Sequence, residues 1–543
     1  MLDRYYSVDI ALSPSQPASV TTYPFKNCSA FASMYGHLFG TAVLTAALFF
    51  TLFKWTLDYY WDPKGLRRYP NFHPLAGITN IPYMILSHGN FRSKKLHQLH
   101  ARGIPIIRTG PNSLSVSDMR GIKDIYGHMS KCRKDQGYEV QAGTHFHLAD
   151  VVDKQEHARK RKVLSAAYAI KNLEDWEFKV ADKVARIIAQ FDKRVSANNH
   201  DVVIDYRPWT NYFTIDAISD IGLTHRMNML DQASALTTSM RPDGSLTQVD
   251  FRECLYANSK ATSVLSYSYD HYKSLVGWSK ISPYFNKLWK LNDGWDGIPR
   301  YLTAERFKRY WAGEELDDFF QALMHDRNGV AHNLELGEIM AEVAIMLNAG
   351  STTTAIAMSN VMYNLLKNPI CMQKLRQEID DALDDDEVVA PYETVKHLPY
   401  LRACLDESLR IFPPTSHGLT RATPPEGALV AGEFIAGDTT VAVSAWIAHR
   451  DPAVFPDPET YNPDRWLGEQ GKELGPYFVA FSAGARGCIG RNIAYLEQTV
   501  LLASLLHRYD VELADPAFVP ERLEWQNCHL SELPIRLMGR GGN

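Results

Sequence analysis

The chain has 543 residues, 45% hydrophobic and 22% charged, with a net charge of −5. That is enough apolar material for a large core, which excludes a disordered chain, and the slight acidic balance gives no global attraction to nucleic acid. The seven cysteines (Cys28, Cys132, Cys254, Cys371, Cys404, Cys488 and Cys528) are odd in number and include no C-x-x-C pair. This argues against a disulfide framework or a structural zinc site, and for a reducing compartment around most of the chain.

Residues 1–30 are polar, with Pro14 and Pro17, and read as a poorly ordered tail. Asn27-Cys28-Ser29 is a formal glycosylation acceptor so close to an apolar segment that it is read as unmodified. The run 31–53 contains no Asp, Glu, Lys or Arg. It is long enough to span a hydrocarbon core of about 30 Å, and it starts too late and lacks the small-residue cleavage site of a signal peptide. Lys54, Lys64, Arg67 and Arg68 follow it, against Arg4 and Lys26 before it, so the positive-inside bias puts the C-terminal side in the cytosol. Residues 54–75, with Pro63, Pro70 and Pro74, read as a stiff, extended hinge. From residue 76 to 543 there is no repeat and no low-complexity gap, so one domain is expected. It should be mainly α with small β-sheets, its short strands near 106–108, 113–116 and 428–442.

The basic run 153–162, DKQEHARKRK, is a solvated helix face in preference to a nucleic-acid patch. His157 and Arg161 are four apart and share one face. His145 and His147 could ligate a metal but have no third ligand nearby, so a loop pair is the simpler reading. The helical pattern at 205–223 makes its aromatics core, and 225–330 is the least readable stretch. Asn333 is a candidate cap for a helix running to Lys367 and ended by Asn368-Pro369. In its middle stands Asn348-Ala349-Gly350-Ser351-Thr352-Thr353-Thr354, small and hydroxyl residues that are poor mid-helix choices. They would let a ligand approach the backbone, or else kink the helix for packing. Glu407 and Arg410, at i, i+3 in a helix from Pro399, share a face; planar Arg465 in Pro463-Asp464-Arg465-Trp466 could bridge Glu407 bidentately. Arg421 follows Pro413-Pro414. No Walker loop and no Gly-x-Gly-x-x-Gly is present, so no flavin or nicotinamide domain is visible.

Near the C-terminus, Phe481-Ser482-Ala483-Gly484-Ala485-Arg486-Gly487-Cys488-Ile489-Gly490 resembles the haem-binding signature of the cytochrome P450 family, with Phe481, Gly484, Arg486, Cys488 and Gly490 all matched. The resemblance implies a cytochrome P450 fold and haem b, its iron bound axially by Cys488. Gly484 would turn the loop at positive φ, Phe481 would cover the sulfur, and Gly490 would let the next helix lie close to the ring. Arg486, His157, Arg161 and Arg421 would meet propionates, while Lys160 and Lys162 would face solvent where an acidic redox partner docks. Ala349, Gly350, Thr353 and Thr354 match the family's oxygen-activation segment; Thr352 stands where an acid is usual, which leaves the proton route open. Glu407, Arg410 and Arg465 match its structural ion-pair network. The implied activity is a monooxygenase in the endoplasmic reticulum membrane, single-pass and with a cytosolic domain, fed from NADPH by a separate flavin reductase. Its substrate would be a medium-sized, mostly apolar molecule of fungal secondary metabolism. Rivals are a peroxide isomerase or dehydratase, an aromatic-acid or xenobiotic hydroxylase, and a haem sensor.

Overall fold

The computed structural model describes residues 28–540 except 90, 166, 169–173 and 327; the tail with Asn27, Arg4 and Lys26 lies outside them. Residues 1–61 form one unit and 62–543 a second. In the first, α1 (Cys28–Trp61) contains the apolar run but does not stop with it, continuing through residues expected to open the hinge. Pro63 sets the stop, since the residue before a proline is driven from helical angles. In the second unit Asp62, at φ 46°, starts a closed turn, not an extended connector. Its carboxylate accepts from Leu66 N at 2.8 Å and Arg67 N at 3.1 Å.

The second unit is mainly helical, as expected. Its principal helices are α2 (Ile81–Ser87), α3 (Arg92–His100), α4 (Arg120–Tyr126), α5 (Lys154–Ser165), α6 (Glu177–Ala197), α7 (Tyr206–Leu223), α8 (Phe251–Leu265), α9 (Pro283–Trp311), α10 (Leu336–Lys367), α11 (Pro399–Ile411) and α12 (Arg491–Arg508). One five-stranded sheet runs in the order β1 (Ile106–Gly110), β2 (Ser113–Val116), β10 (Thr440–Val443), β7 (Arg421–Ala422) and β3 (Arg133–Lys134). The expected strand at 428–442 is three: the hairpin β8 (Ala428–Val430) and β9 (Glu433–Ile435), and then β10. The polypeptide turns between β8 and β9 at Ala431 and Gly432, both at positive φ. A three-stranded sheet joins β11 (Tyr509–Leu513), β14 (Pro534–Gly539) and β4 (Asp201–Asp205), and β12 (Arg522–Glu524) pairs with β13 (Cys528–Leu530).

α10 organises the interior. By length and hydropathy it could cross a membrane, but its most apolar stretch is 56% buried, the mark of a core helix. Its start differs from expectation: Asn333 sits at φ 51° and Glu335 takes the N-cap position without a side-chain bond. α7 packs along it, buried from Tyr206 to Leu223 except for Pro208 and Tyr212, and is capped by the Asp205 carboxylate, which accepts from Arg207 N. The unreadable stretch 225–330 folds as the hairpin β5 (Leu236–Met240) and β6 (Leu246–Asp250), then α8 and α9. A Cβ on Gly297 of α9 would lie 2.1 Å from Ser239 Oγ, so that glycine lets the hairpin rest on the helix. Phe251 and Trp295 meet edge-on in the core at 5.5 Å.

Candidate active site

The cysteine loop is held by its own backbone. Cys488 N donates to Phe481 O at 2.8 Å, and Gly487 N to Gly484 O at 3.0 Å. Gly484 is required where it stands: φ is +65°, and a Cβ there would fall 2.1 Å from Tyr126 O. The N–H groups of Gly490 and Arg491, at the start of α12, point to the Cys488 sulfur and favour its thiolate, as do the charges of Arg161 and Arg491. Burial opposes them and wins in the protein alone, raising the thiol pKa. The side chain is exposed although protein surrounds it closely. A Cβ on Gly490 would meet Cys488 Sγ at 4.0 Å and Tyr168 Cε1 at 3.9 Å, ordinary contact, so packing in the protein alone does not require glycine there. The Phe481 ring lies 5.2 Å from Tyr495.

Five basic side chains cluster at this side of the domain. Antiparallel pairing of β3 and β7 sets Lys134 opposite Arg421. His157 is buried, and burial first, then Arg486, Lys134, Arg161 and Arg421, push its pKa down to about 3. Burial and the charges of Arg421 and Arg486 hold the Lys134 ammonium well below its ordinary value, and burial and Arg421 bring Arg486 down to about 10. His157, Lys134 and Arg486 therefore sense neighbouring cations as unwelcome charge. Their hydrogen bonds go to carbonyls: Arg486 to Val151 O at 2.7 Å and Val152 O at 3.0 Å, Arg161 to Gly487 O at 2.6 Å, Arg421 to Thr420 O at 3.0 Å, and Lys134 to Ala149 O. Arg161 and Arg486, expected to meet propionates, also fasten the cysteine loop through these carbonyls. An exposed thiol with helix-start N–H groups aimed at it and a surplus of cations together fit a group with one thiolate-binding metal and two carboxylates. Among the described residues no cluster of three or more metal-ligating side chains occurs; His145 pairs with Glu335 and His147 with Asp150.

Lys160 is not at the surface. It is 3% exposed and pairs with Glu342 at 3.2 Å and with Glu338; Lys162 is exposed as expected. On α10, Ala349 is exposed and Thr353 half-buried within an otherwise buried stretch. Thr353 Oγ1 donates to Ala349 O at 2.8 Å, so a hydroxyl already competes with the helix there. Gly350 has another reason than the one expected: a Cβ on it would lie 2.6 Å from Ile218 Cγ1, so its smallness lets α7 and α10 close on each other. Thr352 is 1% exposed and its hydroxyl has no partner among the described residues. Ser351 Oγ bonds back to Leu347 O at 2.6 Å, while its carbonyl accepts from Thr214 Oγ1 at 2.8 Å.

The ion-pair network is assembled and fully buried. Arg410 donates to both Glu407 oxygens at 2.8 Å, and Arg465 Nε to Oε1 at 3.1 Å. Trp466 Nε1 at 2.8 Å and Asn462 N at 2.9 Å complete the carboxylate. His449, which the sequence did not single out, joins this network to the cysteine loop. Its Nε2 accepts from Val479 N at 2.9 Å and its Nδ1 donates to Arg410 O at 3.1 Å. Lys134 and Asp150 also escaped notice; burial raises the Asp150 pKa to about 7. None of the three lies in a spacing pattern that a sequence reveals.

A profile of the cytochrome P450 family matches residues 76–537. The chain belongs to the cytochrome P450 family and is a monooxygenase. It is similar to cytochrome P450 monooxygenase atr2 of Stereocaulon alpinum, 28% identical over 496 residues covering 90% of this chain and 92% of the relative. It is also similar to cytochrome P450 monooxygenase efuB of Hormonema carpetanum, 28% identical over 480 residues (86% and 89%). Tryprostatin B 6-hydroxylase of Aspergillus fumigatus is 26% identical over 463 residues (82% and 76%). Membership implies a haem-thiolate iron, electrons from a reductase partner and a small-molecule substrate.

Proposed function

We propose that Cys488 is the axial thiolate of haem b and that the chain hydroxylates a medium-sized, mostly apolar substrate of fungal secondary metabolism. Bound there, haem would supply the oxidant for insertion of oxygen into a C–H bond. The observation that carries this reading is the exposed Cys488 sulfur, with two helix-start N–H groups aimed at it and a surplus of cations nearby. Gly490 and Arg491 N–H groups would stabilise the thiolate. Lys134, His157, Arg161, Arg421 and Arg486 would share two propionates. Thr353 would exchange its bond to Ala349 O for one to a reacting oxygen or water and so hold a proton there. Gly350 would keep α10 seated against α7. Thr352 is too enclosed to replace the missing acid directly, so water at Thr353 is the better carrier of protons.

The outward-facing Phe39, Phe49, Phe50 and Phe53 of α1 support a membrane anchor. With the basic residues that follow, this favours a single-pass protein of the endoplasmic reticulum with a cytosolic domain 76–543, hinge 54–75 and luminal tail 1–30. A flavin reductase would deliver electrons from NADPH. Replacing Cys488 with Ala or His should abolish the red-shifted absorbance of the reduced, CO-bound haem thiolate. An unchanged spectrum would sink the assignment.

A further inference from the structure

A second concentration of positive charge is built from other elements, where α7, α8 and the β12–β13 hairpin meet. Arg207 of α7 is 1% exposed. Its Nη1 donates to Asn211 Oδ1 at 2.6 Å and Thr210 Oγ1 at 3.2 Å, its Nη2 to Tyr256 OH at 3.0 Å, and its Nε has no partner among the described residues. Tyr256 of α8 donates onward to Asn211 Oδ1 at 3.0 Å. Its ring meets His529 of β13 edge-on at 4.7 Å, and His529 lies against Trp525 at 4.6 Å. Lys260 Nζ stands 4.3 Å from the Trp525 centroid and the Arg252 guanidinium 5.8 Å from that of Tyr256. His529 is 3% exposed, and neither of its ring nitrogens has a partner among the described residues; Arg252 Nε is in the same position. The nearby acids are occupied with backbone: Asp205 accepts from Arg207 N and Leu533 N, and Asp250 from Glu253 N. Asp205, Asp250 and Glu253 offset Arg207, Arg252 and Lys260 through space, but among the described residues no carboxylate comes within ion-pair distance of the three.

The unpartnered nitrogens of His529, Arg207 Nε and Arg252 Nε, walled by Tyr256 and Trp525, are costly as they stand, because buried polar groups without partners keep their desolvation penalty. We propose that this cluster is a subsite for the carboxylate of the substrate, with His529 and Arg252 donating to it and the two aromatic rings flanking the adjoining apolar carbon. That the carboxylate belongs to the substrate rests on the monooxygenase reading above. Burial and the charges of Arg207, Lys260 and Arg252 keep His529 neutral, so it offers one N–H.

The test uses the haem-loaded, full-length protein and calorimetric titration with acetate, benzoate and dodecanoate, each against its neutral alcohol. At least one carboxylate should bind roughly tenfold or more tighter than its alcohol, the factor a charge-assisted hydrogen bond supplies, and should perturb the haem spectrum. H529F should lose that preference while binding the alcohol as before; H529Q, which keeps a donor, should retain part of it. Equal binding of every acid and alcohol overturns the proposal, as does a preference that survives in H529F. If H529F does not fold, K260M and R252Q carry the same expectation. Binding without any change in the haem spectrum separates the cluster from the substrate site and overturns that assignment. Because calorimetry needs no turnover, its failure is distinguishable from failure of the Cys488 reading, which the CO spectrum reports.

Discussion

Glu407 shows what a single buried charge does here. Five donors converge on its two oxygens, so Glu407→Gln leaves two buried guanidiniums without a counter-charge. Breaking such a pair costs about 3–5 kcal/mol, and chemical denaturation should show a loss of that size; a change under about 1 kcal/mol would mean that the network is solvated. Thr352 makes the opposite case. Its hydroxyl is buried without a partner among the described residues, so Thr352→Val should leave stability unchanged or raise it by about 1 kcal/mol, and should not alter the share of reductase-supplied electrons that ends in product. Thr353→Ala should keep haem yet divert electrons to peroxide. These residues were legible because the family's motifs fix both types and spacing. Lys134 and His449 were not, because what gives them roles is strand register and a loop crossing, neither of which leaves a local pattern.

At the scale of elements, the α7–α10 contact is the decisive one. A methyl group at Gly350 must displace Ile218, whose Cγ1, Cδ1 and Cβ would lie 2.6, 2.8 and 3.3 Å away. Gly350→Ala should therefore cost about 1–3 kcal/mol, as overpacking does, measured by thermal or denaturant unfolding. Adding Ile218→Ala should recover part of that loss, and strict additivity of the two would show that the contact is not shared. Helix existence was plain from periodicity and from Asn368-Pro369. The start of α10 was missed because Asn333, a good cap by type, turns left-handed before the helix. The β5–β6 hairpin was hidden because its fit depends on Gly294 and Gly297 of a helix far along the chain.

For the whole molecule, acidity is a lever. Burial, then the Arg410 charge, lower the His449 pKa to about 3, against about 6.5 when unfolded. A depressed histidine contributes stability that is present above the unfolded value and is lost as pH falls below it, by up to about 1.4 kcal/mol per pH unit. Between pH 6.5 and 4 wild type should thus lose stability faster than H449N, measured by denaturant midpoints; parallel curves would remove His449 from the account. The two units carry a separate expectation. Since the turn closed by Asp62 lies wholly in the second unit, a chain beginning at residue 62 should fold, with a helical circular dichroism spectrum and a cooperative thermal transition; loss of either would show that the first unit is needed for folding. The crowd of cations around His157 has one further consequence. Mutual repulsion among Lys134, Arg421 and Arg486 is a standing load on strands β3 and β7 and on the segment 149–153 whose carbonyls restrain them. The dianionic ligand proposed for this cluster would lift that load, and the fold's lifetime would then be tied to supply of its prosthetic group. Starved of it, the chain should be cut first at 131–153, and limited proteolysis with and without added haem would make that order visible.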